Sequence, residues 1–260
     1  MMTDRSKFYV GISGLVLPVA NKQQFPPEFR AGTRLTYYAS IFNSIEINSS
    51  FYKIPQPATF ARWAGEVPEG FRFTVKLWRG ITHAQGLHFI PIDVNKFLHA
   101  AGELGLKKGC LLVQLPPGVH ADKTAQLERM LERIVSADTD GSWRIAVEFR
   151  HRSWYRPETY DLLGRYRAGM VLQDMPASKR ENPAGEDAFI YVRYHGVAGD
   201  YRGGYPEEVL LRDAEKMSHW LAAGKDVYVY FNNTIGDALA NALTLRGMVS
   251  ANHPANGGGR

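Results

Sequence analysis

The chain has 260 residues and a single cysteine, Cys110. That scarcity excludes an internal disulfide and a thiolate metal cluster. The thiol opens the apolar run CLLVQL and reads as core, because free cysteine is among the most buried residue types. No run of about 18 apolar residues exists to cross a membrane, and MMTDRSKFYVG lacks the apolar stretch of a secretory signal. These absences predict a soluble, cytoplasmic protein with no membrane partner. Lysine-rich tails, blocks of one charge, internal repeats and coiled-coil heptads are missing too. The net charge of +5 fits an anionic substrate or nucleic acid, but is common among plain enzymes and decides little.

Present instead is enough apolar material, 45% of residues, for one large core. Eight runs rich in β-branched and aromatic residues read as strands: 8–13, 44–48, 71–77, 109–115, 143–149, 169–174, 188–195 and 226–232. Helical patterns at 33–42, 57–64, 92–104, 123–136, 157–167, 206–223 and 235–249 separate most of them, several opening with proline near the first turn. Strands alternating with helices predict a TIM-barrel-like (β/α)8 fold over residues 1–249, followed by a disordered tail from Ser250. The sixth crossover, MPASKRENPAGED from Met175 to Asp187, has no apolar period, so the barrel is expected to be irregular there. Long loops follow the first and third strands, a common location for function.

The strands end in polar residues two apart: Glu46 and Asn48, Thr74 and Lys76, Glu148 and Arg150, Arg193 and His195, with Gln114, Asp174 and Asn232 closing three others. Positions i and i+2 share a face of a strand, so these side chains should gather around the mouth of the barrel, with Gly11, Ser13 and Tyr230 also inward. Barrel enzymes keep their active sites at that end. Unpaired buried ions cost several kcal/mol, so the set must be mutually paired, hydrated or bound to a ligand. The bland alternative is a salt-bridge network such as Glu148 with Arg193.

Three chemistries suit the set. A carboxylate with His195 or Lys76 makes an acid/base pair, and Arg150 and Arg193 offer bidentate forks to phosphate or carboxylate. Glu46, Glu148, Asp174 and His195 could hold a single divalent metal, although the arginines in register beside them favour an anion. Lys76, desolvated beside arginine, could form a Schiff base, although most barrel lysines simply pair with carboxylate or phosphate. His83 on the third loop could cap the site, although lone loop histidines are more often exposed than catalytic. Phe51, Tyr52, Trp78, Trp154, Tyr201 and Tyr205 could stack on a ligand, with loop packing the commoner role. Gly203 and Gly204 could present backbone N–H groups to an anion, or form an ordinary turn.

The motifs SIEINSSFYKIP, the ITH of RGITH, LLVQLPPG, AVEFRHRSW, the Asp174 of LQDMP, YVRYHG and VYVYFNN, in that order, resemble the YecE-like family, domain of unknown function 72. The resemblance implies a TIM-barrel-like fold with the matched polar residues at the C-terminal ends of the strands, and supplies no reaction. The chain departs from the family pattern at Leu15, usually tryptophan, and at Thr234, usually aspartate. The leading expectation is an enzyme using acid/base chemistry on a phosphate- or carboxylate-bearing metabolite. Glu46 or Glu148 would be the base, His195 the acid and Asp174 an orienting group, with Lys76 also a catalytic candidate. Asn48, Tyr52, His83, Gln114, Arg150, Arg193 and Asn232 would bind substrate. No cofactor is required by the sequence, though one divalent metal fits. Metal-assisted phosphodiester cleavage or nucleic-acid binding is the runner-up, and a non-catalytic anion-binding protein the third reading.

Overall fold

The computed structural model describes residues 7–183 and 187–252. Its strands are β1 (Phe8–Ile12), β2 (Ser44–Ile47), β3 (Arg72–Lys76), β4 (Lys108–Gln114), β5 (Arg144–Glu148), β6 (Gly169–Met170), β7 (Leu172–Gln173), β8 (Phe189–Tyr194), β9 (Arg202–Gly203), β10 (Asp226–Phe231) and β11 (Ile235–Gly236). Two parallel runs, β2-β3-β4-β5-β6 and β7-β8-β10-β1, make up the wall, while β9 and β11 pair separately. At one seam β6 and β7 are halves of a single strand broken at Val171, whose N–H still donates to the Val147 carbonyl at 2.9 Å. At the other, a parallel bridge joins Ser13 to Glu46. Closure of both seams gives the eight-position, TIM-barrel-like ring expected from the strand count.

The β1–β2 seam is stitched by side chains where it lacks a regular ladder. Tyr38 accepts from the Ile12 N–H at 2.8 Å and donates to the Ser44 carbonyl at 3.1 Å. The Asn43 amide likewise accepts from the Val10 N–H and donates to the Phe8 carbonyl. Backbone groups that a ladder would satisfy are thus paired by other means. This seam also explains Gly11: a Cβ there would lie 2.0 Å from the Ser44 carbonyl oxygen.

The helices are α1 (Arg34–Ile41), α2 (Ser49–Tyr52), α3 (Pro57–Gly65), α4 (Arg79–Thr82), α5 (Pro91–Gly102), α6 (Thr124–Ala137), α7 (Pro157–Arg165), α8 (Glu207–Ala222) and α9 (Ala238–Asn252). Proline begins α3, α5 and α7, where its fixed φ suits a helix and its missing N–H forfeits no bond. Helix α6 buries Leu127, Met130, Leu131 and Ile134 on one stripe against the wall. No helix among the described residues is long and apolar enough to cross a membrane.

The described part of the sixth crossover contains a 3-10 turn, Pro176–Ser178, and an antiparallel bridge from Arg180 to Gln173, with no α-helix, as its composition predicts. A cavity of about 340 Å³ lies beside it, lined by Leu172, Val192, Tyr194, Val209 and Trp220 among others. Three boundaries differ from expectation. The last helix starts at Ala238, because Ile235–Gly236 pairs with Arg202–Gly203. It also runs through 250–252, where a disordered tail is predicted; the rest of that tail lies outside the described residues, as do positions 1–6 of the segment read for a signal. Finally, α2 and α4, single turns in the loops after β2 and β3, have no clear apolar period to announce them.

The interior divides in two. Tyr9, Cys110, Leu112, Ala146, Val171, Phe189, Tyr191, Tyr228 and Tyr230 fill the barrel as their own apolar cluster, apart from the larger core between strands and helices. Cys110 is fully buried, as predicted, and burial pushes its thiol pKa up. Above this plug lie the charged strand ends.

Candidate active site

Arg193, on β8, is the hub. Its Nε and Nη2 clamp both oxygens of Glu46 at 2.9 and 2.7 Å, and its Nη1 donates to Glu148 Oε2 at 2.5 Å. Glu46 also accepts from Tyr191 at 2.5 Å and from the Ser13 hydroxyl. Burial would raise the Glu46 pKa, but Arg193 together with the two hydroxyls outweighs it and holds the carboxyl below its usual range. For Glu148, burial is again the largest single influence and an upward one; Arg150, Arg193, His195 and Lys76 together overcome it, to about 2. Arg150 Nη2 lies 2.7 Å from Glu148 Oε1 as an ion pair.

This arrangement corrects two expected roles. Glu46 is fully buried and fully hydrogen-bonded, so it has no lone pair available as a base without dismantling the hub. Arg193, 1% exposed, spends its fork on Glu46 rather than on a ligand. The paired network that the sequence left open as the bland alternative is real for these residues, including the Glu148–Arg193 pair itself.

His195 is held by Asp174, whose Oδ1 lies 3.0 Å from its Nδ1 and accepts from its backbone N–H at 2.8 Å. Its Nε2 faces Arg150 Nη2 at 2.9 Å and Arg193 Nη1 at 3.3 Å. Guanidinium groups only donate, so Nε2 carries the lone pair and the ring proton sits on Nδ1, pointing at Asp174. Burial lowers the pKa of His195; Asp174 opposes this and the charge of Arg193 reinforces it. The resting ring is therefore neutral and has no proton on the arginine side, which removes the expected acid role there. Tyr205 completes the support, donating to Asp174 Oδ2 and accepting from the Gly196 N–H at 2.6 Å.

Lys76, at the end of β3, differs from every other charge in the bowl. Among the described residues no carboxylate lies within 4 Å of its Nζ, which instead sits 4.2 Å from the centroid of the Phe51 ring. Burial is the main cause lowering its pKa, with Arg193 adding to it, to about 8. His83 packs edge-on against the same ring, centroids 4.9 Å apart, and pairs its Nδ1 with Thr82 Oγ1 at 2.9 Å. Burial and then the charge of Lys76 bring His83 down to about 4, so it is uncharged at neutral pH. Phe51 and His83 come together because α2 and α4 fold the loops after β2 and β3 over the mouth.

The remaining candidates lie around this pair of clusters. Gln114 donates to its neighbour's carbonyl, Leu115 O, at 3.0 Å and so braces backbone. Asn48 is half-buried with its side-chain oxygen unpartnered, as is Arg150 Nε inside a guanidinium only 9% exposed. The Asn232 side chain makes no hydrogen bond among the described residues, while its backbone N–H donates to Tyr194 O. Tyr52 projects at 68% exposure from the rim. Trp154 is buried and donates to Val119 O, a packing role, and Leu15 is half-buried against the core. Tyr191 escaped the sequence reading, although its i, i+2, i+4 relation to Arg193 and His195 carried the signal; Ser13 was placed inward but given no role. Among the described residues no three His, Cys, Asp or Glu side chains form a group suited to a metal; Glu46 and Glu148 face guanidinium groups, and Asp174 faces His195 and Tyr205.

Comparison with known proteins agrees with the fold. The family described as protein of unknown function DUF72 matches residues 9–257. The UPF0759 protein YunF of Bacillus subtilis is 30% identical over 163 residues, 59% of this chain and 54% of that protein, so the match spans about half of the curated relative's length. A DUF72 protein of Thermotoga maritima, solved by crystallography, superposes with a TM-score of 0.77 at 26% identity, covering 94% of this chain and 99% of that one. A crystal structure of D-psicose 3-epimerase obtained in the presence of D-fructose shares the fold alone, at a TM-score of 0.51 and 11% identity, over 84% of this chain and 89% of that one.

Proposed function

We propose that this chain, which belongs to the DUF72 family of proteins of unknown function, is an enzyme performing acid/base chemistry on a small phosphate- or carboxylate-bearing substrate at the C-terminal ends of the barrel strands. The observation that carries this reading is the orphaned cationic edge of the bowl. Among the described residues Arg150 Nε is buried without a partner and Lys76 has no carboxylate beside it. A buried donor left unsatisfied costs about 1–3 kcal/mol, and an anionic ligand would satisfy it. In this reading Arg150 and Lys76 bind the anion. Lys76, titrating near 8, exchanges the proton close to working pH, where acid/base catalysis is most effective. Neutral His83 is the nearby acceptor. Glu46, Glu148, Arg193, His195 and Asp174 are positioning residues that hold Arg150 and the mouth rigid.

The test is a thermal-shift series with phosphate, pyruvate, magnesium, manganese and short single-stranded DNA, on wild type, Arg150→Gln and Lys76→Met. Small anions are expected to raise the wild-type midpoint by mass action and to leave both variants unmoved. Equal shifts in all three proteins would sink the proposal. A response to metal or DNA alone would replace it with phosphodiester chemistry.

A further inference from the structure

We infer that Lys76 is a covalent residue: it condenses with an aldehyde or ketone that also carries a phosphate or carboxylate, and holds it as an imine. This deepens the proposed function and rests on it for the anionic part of the substrate. Three features of the site converge on Nζ. The amine has no carboxylate within 4 Å among the described residues, so no ion pair fixes it in the ammonium form. It lies against the Phe51 face, which removes water from one side. The guanidinium groups of Arg193 and Arg150 are cations that disfavour another cation at Nζ, while Glu148 and Glu46 act in the opposite sense but are committed to those arginines.

The chemistry needs nothing from outside the site. The Nζ lone pair attacks the carbonyl carbon and forms the C–N bond, and the carbonyl oxygen takes a proton. A second proton reaches that oxygen as the C–O bond breaks. The two amine hydrogens thus leave with the oxygen as water, a C=N bond remains, and nothing is oxidised or reduced. His83, uncharged and packed on the other contact of the Phe51 ring, carries a proton from nitrogen to the departing oxygen. Arg150 receives the phosphate or carboxylate through the Nε that has no partner. With its midpoint near 8, about a tenth of the amine is nucleophilic at pH 7, against well under a thousandth for an ordinary lysine.

The experiment is borohydride trapping on the full chain, with pyruvate, dihydroxyacetone phosphate or neutral acetone as probe, followed by intact mass and peptide mapping. The expected result is one adduct at Lys76 with one or both anionic probes, at least tenfold faster than at any other lysine, with a rate rising through pH 8. It should be absent in Lys76→Met. Arg150→Gln should slow the anionic probes at Lys76 at least tenfold more than it slows acetone, which feels only the loss of a cation beside the amine. Adducts scattered over surface lysines, or none at Lys76 with any probe, would overturn the inference. If phosphate still raised the wild-type midpoint in that case, the anion reading would stand without it. Equal labelling by acetone and the anionic probes, indifferent to Arg150, would keep the imine and refute the anionic substrate class.

Discussion

Two groups of charges share the mouth of this barrel and are built on opposite terms. The Glu46–Arg193–Glu148 hub is buried and paired: each ion has its counter-ion, and both Glu46 oxygens and Glu148 Oε2 accept hydrogen bonds from Arg193. At the same mouth, Lys76 has an aromatic face and, among the described residues, no carboxylate partner. Interiors tolerate the first because pairing offsets desolvation. They tolerate the second only at a loss of stability, and such residues concentrate where function requires them. The contrast separates scaffold from reactive group better than burial does, since both groups are withdrawn from solvent.

The sharpest way to break the contrast is Arg193→Met, which strands two buried carboxylates. Removing one partner of a buried ion pair costs roughly 3–5 kcal/mol, so urea unfolding should show a loss of that size, partly recovered in Arg193→Met with Glu46→Gln. A variant as stable as wild type would mean that the hub is not a stabilising unit. Acid titration comes next. Because the folded Glu148 pKa lies near 2 and its ordinary value is 4.5, its contribution is complete above about pH 4.5 and vanishes as pH falls toward 2. That contribution is on the order of 3 kcal/mol, and stability of Glu148→Gln relative to wild type across this window measures it.

Lys76→Met should move the other way. The folded pKa of about 8 lies below the ordinary 10.5, so the unfolded chain binds the proton more tightly. Wild-type stability therefore rises with pH between about 8 and 10.5, and the penalty is full below 8. The variant should be more stable by about 1–2 kcal/mol at pH 7, with the gain fading between about pH 8 and 10.5, and should lose imine trapping. Destabilisation at pH 7 would place Lys76 with the scaffold. The smallest effect belongs to Tyr205→Phe, which removes one hydroxyl from Asp174 and should cost about 0.5–1.5 kcal/mol. Its informative readout is the nuclear magnetic resonance signal of the His195 ring nitrogens, which should stay neutral if Asp174 and the arginines suffice.

Much of the site was legible because strand alternation is local. Glu46, Lys76, Glu148, Arg193 and His195 follow from two-residue spacing at the ends of apolar runs. Their roles were not legible in the same way. Glu46 and Arg193 are 147 residues apart, and only barrel closure decides that the guanidinium fork meets that carboxylate rather than a ligand. The partnership of Lys76 with Phe51 and His83 depends on two single-turn helices whose short segments have no periodicity to read. The tautomer of His195 depends on two arginines from different strands.

By itself, then, the order of residues determined the main strands and helices of the barrel, the irregular sixth crossover and which side chains face the axis, because these depend on backbone periodicity over a few neighbours. The tertiary structure decided which ions neutralise each other and which amine, among the described residues, lies against an aromatic face instead of a carboxylate. Those outcomes depend on Coulomb interactions and desolvation between groups that meet only when both seams of the barrel close.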